Sequence, residues 1–309
     1  MISFRHTEVR MPDKHYRSIF SASTAQERRD NFASYWAFSQ THAGKLFEEE
    51  RDLETKRAKL KYFTEENPVR SRKALPDPEL FYRNYVHLKD DPKTFDRKTL
   101  LLTCIYKFAR HEWVGISGAW DAIPTMAESK KITDKISRVH LAEEFCHVRF
   151  FHEMFRTFHL DNVEWIPLGP VMQKIYKMFP YVPEAIMAPP AFVTELMGIT
   201  FYQHVDALLD DIFSDEPEAK YRIRELLHEI MIDELAHIGQ RRNFIGPLGI
   251  KISAWMVSPL YRMFYRDIPE SKLLFNIDQM VQDGLAFDYN NVNPELLNAS
   301  WIPSYCHKN

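Results

Sequence analysis

The sequence predicts an all-α protein built around a four-helix bundle, and three of its features support this fold class. Only 9 of the 309 residues are glycine, and no stretch alternates polar and apolar residues over the length of a strand. Several long segments instead repeat apolar residues at the spacing of an α-helix. Two copies of the motif Glu-x-x-His, Glu144 to His147 and Glu234 to His237, lie inside such segments.

The chain divides into three parts that we expect to form one compact domain. Residues 1–93 are predicted to be an N-terminal helical extension, dominated by one long helix from about Ala25 to Lys61 and then a loop marked by prolines. Residues 94–243 are predicted to be the bundle, and residues 244–309 two further helices and an irregular tail.

The predicted helices follow from apolar periodicity, from capping residues and from prolines that end them. Thr94 is expected to cap the first bundle helix. The four bundle helices and a short helix before the third are predicted at about Thr94–Trp120, Thr133–His159, Val171–Phe179 (the short one), Pro190–Phe213 and Pro217–Asn243, and the C-terminal helices at about Ile250–Tyr265 and Glu270–Phe287.

Each predicted bundle helix carries one glutamate within an apolar stripe: Glu112, Glu144, Glu195 and Glu234. Around Glu234, for example, the residues three, four, seven, eight and eleven positions earlier are all apolar. A third copy of the motif, Glu225 to His228, has polar or amphipathic neighbours and is predicted to lie at the surface.

Four carboxylates in a bundle core would each cost several kcal/mol unless they were compensated. No lysine or arginine lies on the four stripes near the acids, so we expect two divalent cations to neutralise them. His147 and His237 would supply one nitrogen ligand per metal. Such a mixed ligand set suits iron or manganese better than calcium or structural zinc. Each residue alone could be a core side chain with its hydrogen bonds satisfied, but together they predict a dinuclear metal core. The predicted fold is therefore a four-helix bundle around this core, with flanking N- and C-terminal helices.

The order Glu112, Glu144-x-x-His147, Glu195, Glu234-x-x-His237 resembles the ferritin-like non-haem diiron carboxylate superfamily, over about Thr94 to Asn243. The resemblance implies a ferritin-like four-helix bundle holding two iron ions, or a manganese and iron pair. Glu112, Glu144 and His147 would bind one metal and Glu195, Glu234 and His237 the other, with Glu144 and Glu234 bridging. Glu143 and Asp233 would hydrogen-bond the opposite histidines and orient them.

By this resemblance the protein would be an oxygen-activating oxidoreductase that hydroxylates, N-oxygenates or dehydrogenates a small organic substrate. Its electrons would come from an external donor, since the chain has no Gly-rich dinucleotide motif and no cysteine cluster. The nearest subgroup is the arylamine N-oxygenases, which share the form Asp-Glu-x-x-His. Their extra histidine, four residues before the last motif Glu, is Ile230 here. His140 holds the equivalent place before Glu144, as a metal ligand or as a hydrogen-bond partner of a carboxylate.

Three alternatives stay open: a ferroxidase or iron-storage protein with the same ligands, an acyl desaturase, and a metal-dependent structural bundle. Desaturase motifs usually hold arginine before the histidine, where this chain has Cys146 and Ala236. The extra helices outside the bundle count against a bare iron-storage protein.

Gly115 and Gly198 each follow a predicted ligand glutamate by three residues, and each costs its helix about 1 kcal/mol relative to alanine. We expect them to clear space for oxygen and substrate, with close helix packing as the alternative. The side chains predicted to line this pocket are Trp113, Phe192, Ile199 and Tyr202.

Composition excludes several other classes. A net charge of -3 gives no reason to expect nucleic-acid binding, and the pairs Lys130-Lys131 and Arg241-Arg242 are expected on solvated helix faces. The sequence contains no run of eighteen apolar residues, so no membrane span is predicted. Three scattered cysteines and the lack of a secretory signal favour a cytoplasmic protein. The oligomeric state is left open, a homodimer included.

Overall fold

The computed structural model describes residues 16–308, and the all-α class is confirmed there: eleven α-helices and one short hairpin make up most of the chain. The first fifteen residues of the N-terminal extension, which include the place where a secretory signal would begin, lie outside the described residues.

The helices are numbered in chain order. They are α1 (Ala25–Ala43), α2 (Glu54–Lys61), α3 (Pro78–Asn84), α4 (Arg97–Ala122), α5 (Ile132–Thr157), α6 (Pro170–Met178), α7 (Glu184–Ile212), α8 (Pro217–Arg242), α9 (Pro247–Phe264), α10 (Ile277–Leu285) and α11 (Pro294–Ala299). The hairpin pairs β1 (Leu46–Phe47) with β2 (Asp52–Leu53) in antiparallel register.

Four long helices, α4, α5, α7 and α8, correspond to the four that the sequence predicts for the bundle. Helix α4 packs on α5, α5 on α8, α8 on α7 and α7 on α4, which closes a ring of contacts around one interior. Apolar side chains from all four helices are buried there, and the main hydrophobic cluster runs through the bundle and into the C-terminal helices. This interior is where the predicted glutamates point.

Two of the bundle helices start away from their predicted positions. Helix α4 is capped by Asp96, not Thr94, because the Asp96 carboxylate accepts hydrogen bonds from the Lys98 and Thr99 amides. Helix α7 begins at Glu184, before Pro189 and Pro190. The two prolines lie inside the helix, where each removes a backbone hydrogen bond, but proline's fixed φ suits a helix and α7 is not ended by them.

The prediction of one long N-terminal helix is wrong. Helix α1 ends at Ala43 because Gly44 takes a positive φ of 68°, and the chain then forms the hairpin before α2 begins. The predicted helix from Glu270 is also shorter, since a 3₁₀ turn covers Pro269–Leu273 and Asn276 caps α10.

The flanking helices pack directly on the bundle. Helix α1 packs on α5, α9 on α7, and α11 on α8. Tyr16 forms an isolated bridge with His307, so the two ends of the described chain meet. Helix α7 is long and apolar enough to cross a membrane, but 61% of its most apolar window is buried inside the protein, as expected of a core helix.

The expectation of a solvated Arg241-Arg242 pair is wrong, whereas Lys130 and Lys131 are exposed as predicted. Arg242 is fully buried and donates hydrogen bonds to the backbone carbonyls of Ile19, Ser21 and Ile245. Arg241 turns towards the bundle interior. Arg242 lies where the N-terminal segment covers α8, a long-range contact that helical spacing does not reveal.

Candidate metal centre

The predicted ligands come together inside the bundle because each helix presents them on its interior face. Helix α4 supplies Glu112 and α7 supplies Glu195. On α5 and α8, residues three or four positions apart share one face, which aligns several side chains at once. Those residues are His140, Glu143, Glu144 and His147 on α5, and Asp233, Glu234 and His237 on α8.

Two groups of side chains could each hold a metal ion. The first, which we call the His147 group, consists of Glu144, His147 and Glu234. His147 Nδ1 lies 3.3 Å from Glu144 Oε2 and 3.4 Å from Glu234 Oε1. All three side chains are buried.

The second, the His237 group, consists of His140, Glu144, Glu195 and His237. His237 Nδ1 lies 3.1 Å from Glu144 Oε1, and His140 Nε2 lies 3.4 Å from Glu195 Oε1. The His140 and His237 rings stack with their centroids 3.8 Å apart. Sequence reasoning left the role of His140 open, and the structure places it among these potential ligands.

Glu144 belongs to both groups. Its Oε1 faces His237 and His140, and its Oε2 faces His147, so one carboxylate spans the two groups. Glu234, the other acid expected to bridge, belongs only to the His147 group, and Glu112 belongs to neither among the described residues.

The outer nitrogens of the two motif histidines are held by carboxylates. His147 Nε2 donates to Asp233 Oδ2 at 2.8 Å, and His237 Nε2 donates to Glu143 Oε2 at 2.8 Å. Each carboxylate comes from the helix opposite its histidine, as the resemblance implies. With Nε2 donating outwards, a neutral imidazole presents the Nδ1 lone pair to the centre of the bundle.

Several buried polar atoms at the centre have no hydrogen-bond partner within residues 16–308: Nδ1 of His147, Nδ1 of His237, Nδ1 of His140 and Oε2 of Glu112. The contacts of His147 Nδ1 and His237 Nδ1 with Glu144 and Glu234 oxygens do not have hydrogen-bond geometry. Buried polar atoms are rarely left unpaired, because the loss costs about 1–3 kcal/mol each. Cations among these nitrogens and oxygens would satisfy them, so the donor set fits metal ions.

Two basic side chains that the sequence analysis did not place near the acids reach the site. Lys56 of α2 is buried and its Nζ lies 2.7 Å from Asp233 Oδ2, while Arg241 Nε lies 3.3 Å from Glu195 Oε1. His42 of α1 adds a third contact to Asp233, at 2.8 Å. The expectation that no lysine or arginine lies on the stripes near the acids is wrong for Arg241, which follows Glu234 by seven residues on the same face of α8. Lys56 comes from α2, which the stripes of the bundle helices do not show.

Burial and neighbouring charges raise the pKa of some glutamates at the site and lower the pKa of others. Burial, followed by the negative charge of Glu144, raises the pKa of Glu234 to about 8, and burial raises the pKa of Glu112 well above its usual value. Burial would also raise the pKa of Glu144, but His147 and His237 outweigh it and hold that pKa well below the usual value. The pKa values of both histidines are raised, because the surrounding carboxylates outweigh burial.

Tyr202 contacts one of the predicted ligands directly. It is fully buried on α7, and its hydroxyl donates a short hydrogen bond to Glu112 Oε1. Burial and the nearby Glu112 carboxylate raise the pKa of Tyr202 well above its usual value, so the phenol keeps its proton. This contact orients Glu112 and leaves its second oxygen free.

The two glycines expected to open a pocket have different surroundings. A Cβ at Gly198 would lie 3.3 Å from Glu234 Oε2, so this glycine makes room for the carboxylate of a predicted ligand. At Gly115 a Cβ would meet the Tyr176 ring of α6 at 3.5 Å, an ordinary packing distance. The predicted pocket is not tested by these contacts and stays a prediction.

The remaining predicted pocket residues lie in neighbouring packing layers. Trp113 is half-buried beside Trp165, with ring centroids 6.4 Å apart, and Phe192 packs edge-on against Phe20 at 5.7 Å. Ile199 is fully buried in the main hydrophobic cluster.

The third motif copy lies away from both groups. Glu225 accepts a hydrogen bond from Arg222 at 3.2 Å, and His228 faces Asp206 at 3.6 Å. Their side chains keep 28% and 26% of their surface exposed, so they are half-buried at the bundle exterior. The pattern of neighbouring residues therefore separated this copy correctly from the two that face the interior. The three cysteines are free and buried, as expected without a disulfide framework.

Comparison of the chain with protein-family models, with curated proteins and with solved structures found no match. What can be said of the site therefore comes from its own residues.

Proposed function

We propose that the protein is a ferritin-like dinuclear metal oxidoreductase that activates molecular oxygen. The observation that carries the proposal is the convergence of unpartnered imidazole Nδ1 atoms and carboxylate oxygens in two groups that share Glu144. Each motif histidine is also oriented from outside by a carboxylate at 2.8 Å, the arrangement that protein metal sites use to fix imidazole ligands.

Charge balance supports two divalent cations. Six carboxylates surround the site: Glu112, Glu143, Glu144, Glu195, Asp233 and Glu234. Within the described chain, Lys56 pairs with Asp233 and Arg241 with Glu195, which leaves four carboxylates without a lysine or arginine partner. Two divalent ions would neutralise those four and remove the penalty of burying them.

The donor types support iron, or a manganese and iron pair. The groups offer imidazole nitrogen and carboxylate oxygen and no thiolate, because Cys146 is turned away towards Asp52. Calcium takes oxygen ligands and structural zinc favours closed, thiolate-rich tetrahedra, so both fit less well.

The chain's own residues would control how the metals are held. Bound ferrous ions would supply the electrons and the open coordination positions needed to reduce oxygen. Glu144 would contribute to the binding of both ions, and Glu143 and Asp233 would hold the imidazoles aligned, with the proton on Nε2 and Nδ1 turned towards the metals. The Tyr202 hydroxyl would restrain one oxygen of Glu112 and leave the other for a metal. The apolar shell around these groups would exclude bulk water.

We further propose that the substrate is a small organic molecule and that electrons come from a separate cytoplasmic reductase. His140 adds a third imidazole to the centre, as the extra histidine does in the arylamine N-oxygenases, although it comes from the other motif helix. N-oxygenation is therefore one candidate reaction beside hydroxylation and dehydrogenation.

Metal loading and oxygen consumption test the proposal. The purified protein, reconstituted anaerobically with ferrous iron, is expected to bind about two ions per chain and to consume oxygen when mixed with it. His147→Ala and His237→Ala should each lose metal. His228→Ala is the matched control, since it changes the same residue type in the third motif copy, and should keep both ions.

The competing functions give different results. An iron-storage protein would elute as a large shell and mineralise added iron, and a structural bundle would bind metal without consuming oxygen. Metal retained in both His147→Ala and His237→Ala would remove the basis of the proposal.

A further inference from the structure

The exposed hydrophobic side chains are concentrated on one part of the molecule. Of the fourteen large hydrophobic residues that the described chain leaves exposed, ten lie within residues 170–186 or 247–264. These ten define what we call the apolar face: Val171, Ile175, Met178, Phe179, Tyr181, Ile186, Leu248, Ile252, Trp255 and Met263. Single exposed hydrophobics need no explanation, but a concentration of this kind marks an interaction surface.

On α9 the apolar residues form a stripe that faces outwards. Leu248, Ile252, Trp255 and Met263 follow one another at helical spacing, with Pro259 exposed between the last two. Leu248 is 72% exposed and Trp255 is 75% exposed. The opposite side of the helix packs on α7, so α9 is apolar on both its inner and its outer side.

Helix α6 repeats the pattern over a shorter length. Val171, Ile175 and Met178 are spaced by four and three residues and are all exposed, and the 3₁₀ turn that follows adds Phe179 and Tyr181. None of the α6 residues is fully buried. The helix lies on α4, where the Tyr176 ring and the Lys177 stem cover Gly115 and Gly118.

Helices α6 and α9 meet at His111 of α4. The Tyr176 hydroxyl lies 3.1 Å from His111 Nδ1, and the Phe264 ring of α9 lies 4.8 Å from the His111 ring. The apolar residues of both helices therefore belong to one side of the bundle.

The charges around the apolar face are mostly positive. Residues 165–183 and 247–266 contain Lys174, Lys177, Lys251, Arg262 and Arg266, all exposed, and no aspartate or glutamate. The chain has 43 acids in 309 residues, a frequency at which these thirty-nine residues would carry about five. Three exposed acids accompany these cations: Glu184, between Tyr181 and Ile186 of the apolar face, Asp267, next to Arg266, and Asp278, 2.7 Å from Arg262.

The basic rim continues past the end of α9. An open cleft of about 680 Å³ lies there and is lined by Arg262, Arg266, Lys272 and the exposed Leu273. Arg262 is partly neutralised by Asp278 at 2.7 Å, whereas Arg266 and Lys272 are exposed.

We propose that the apolar face docks on an anionic lipid bilayer. Outward-facing apolar stripes with Trp, Tyr and Phe side chains, bordered by lysine and arginine, are the features of helices that lie in the plane of a membrane interface. The apolar side chains would enter the boundary between headgroups and acyl chains. The basic residues would contact acidic headgroups. The protein as a whole has a net charge of -3, so the rest of its surface is not expected to attract an anionic membrane.

A second copy of this chain fits the face less well. A twofold contact of the apolar face with itself would bring two basic rims together with fewer acids than bases to pair with them. A lipid surface supplies the missing negative charge.

Flotation with lipid vesicles tests the proposal, using phosphatidylcholine alone and phosphatidylcholine with about 30% phosphatidylserine. The metal-loaded full chain is expected to float with the anionic vesicles and to be released as salt is raised from about 0.1 M to about 0.5 M. Ile252→Ser combined with Trp255→Ser should weaken binding at least about tenfold, since each lost apolar contact is worth about that factor. Lys174→Glu combined with Lys177→Glu should weaken binding to anionic vesicles by a similar factor.

Tyr221→Ser is the matched control, because Tyr221 is 65% exposed but lies on α8 outside the apolar face. It should bind vesicles as the wild type does, and the metal content of every variant reports that it has folded. The proposal is overturned if the wild type ignores both vesicle types, or if the face variants float as well as the control. It is also overturned if the wild type is a dimer that Ile252→Ser with Trp255→Ser converts to monomers, which would make the face a subunit interface.

Discussion

The substitution Gly198→Ala is expected to affect the stability of the bundle and the iron affinity of the proposed metal site in opposite directions. The new Cβ would lie 3.3 Å from Glu234 Oε2, closer than a relaxed contact, so the carboxylate must move by a few tenths of an ångström. Metal–ligand distances tolerate about 0.2 Å. The movement is therefore comparable with the whole tolerance of the site. Alanine also favours the helix by up to about 1 kcal/mol over glycine.

We expect Gly198→Ala to leave the metal-free protein as stable as the wild type or up to about 1 kcal/mol more stable. The affinity for ferrous iron should fall about tenfold, the lower end of what disturbed ligand positioning costs. Urea unfolding of the metal-free protein measures the first quantity, and anaerobic titration with ferrous iron measures the second.

Gly118→Ala is the matched control. It lies in helix α4, and its Cβ would meet Lys177 Cγ at 3.5 Å, an ordinary contact far from any ligand oxygen. This variant should gain similar stability and keep its iron affinity. If Gly198→Ala binds iron as tightly as Gly118→Ala does, Glu234 does not need the space beside Gly198 in order to bind metal. That result would refute our explanation of this glycine.

Three further predictions concern the same centre. Glu143→Gln removes the charge that orients His237 and should lower iron affinity about 10–100-fold, whereas Glu225→Gln in the third motif copy should not, as metal titration would show. Without metal, the raised pKa values of Glu234, His147 and His237 mean that the folded chain holds more protons than the unfolded chain between about pH 5 and pH 8. Its free energy of unfolding should therefore fall as the pH rises from about 6 to about 8.5, and an unchanged or rising value in urea titrations would contradict these shifts. Chelation of the metal should lower the melting temperature, because an ion present at about 1,000 times its Kd stabilises the folded protein by about 4 kcal/mol. Calorimetric scans with and without chelator measure this difference. Identical scans would show that the purified protein holds no metal at this site.

Local sequence predicted the bundle well because helical periodicity is a property of consecutive residues. The apolar stripes around Glu112, Glu144, Glu195 and Glu234 depend only on the 3.6-residue repeat, and all four acids lie on interior faces. The same test kept Glu225 out of the site. Boundaries were less accurate, as at α7, where two prolines suggested a start that the helix passes through.

Contacts between distant segments were not predicted. The single helix expected from Ala25 to Lys61 is broken by Gly44, and this break turns α2 back so that Lys56 reaches Asp233. Arg241 was expected in water but lies against Glu195. Both cations change the charge balance of the site. Lys56 lies on none of the bundle helices, whereas Arg241 follows Glu234 by seven residues on α8 and helical spacing could have placed it near the site.

What the sequence determined by itself is which side chains face the interior and in what order, because backbone geometry fixes the direction of each residue along a helix. Only the tertiary structure decided how those side chains are grouped: that Glu144 spans two groups, that His140 joins the second, and that Glu112 turns to Tyr202. The reason is physical. Grouping depends on the distances between helices and on the segments that cover them, and those are set by packing between residues far apart in the chain.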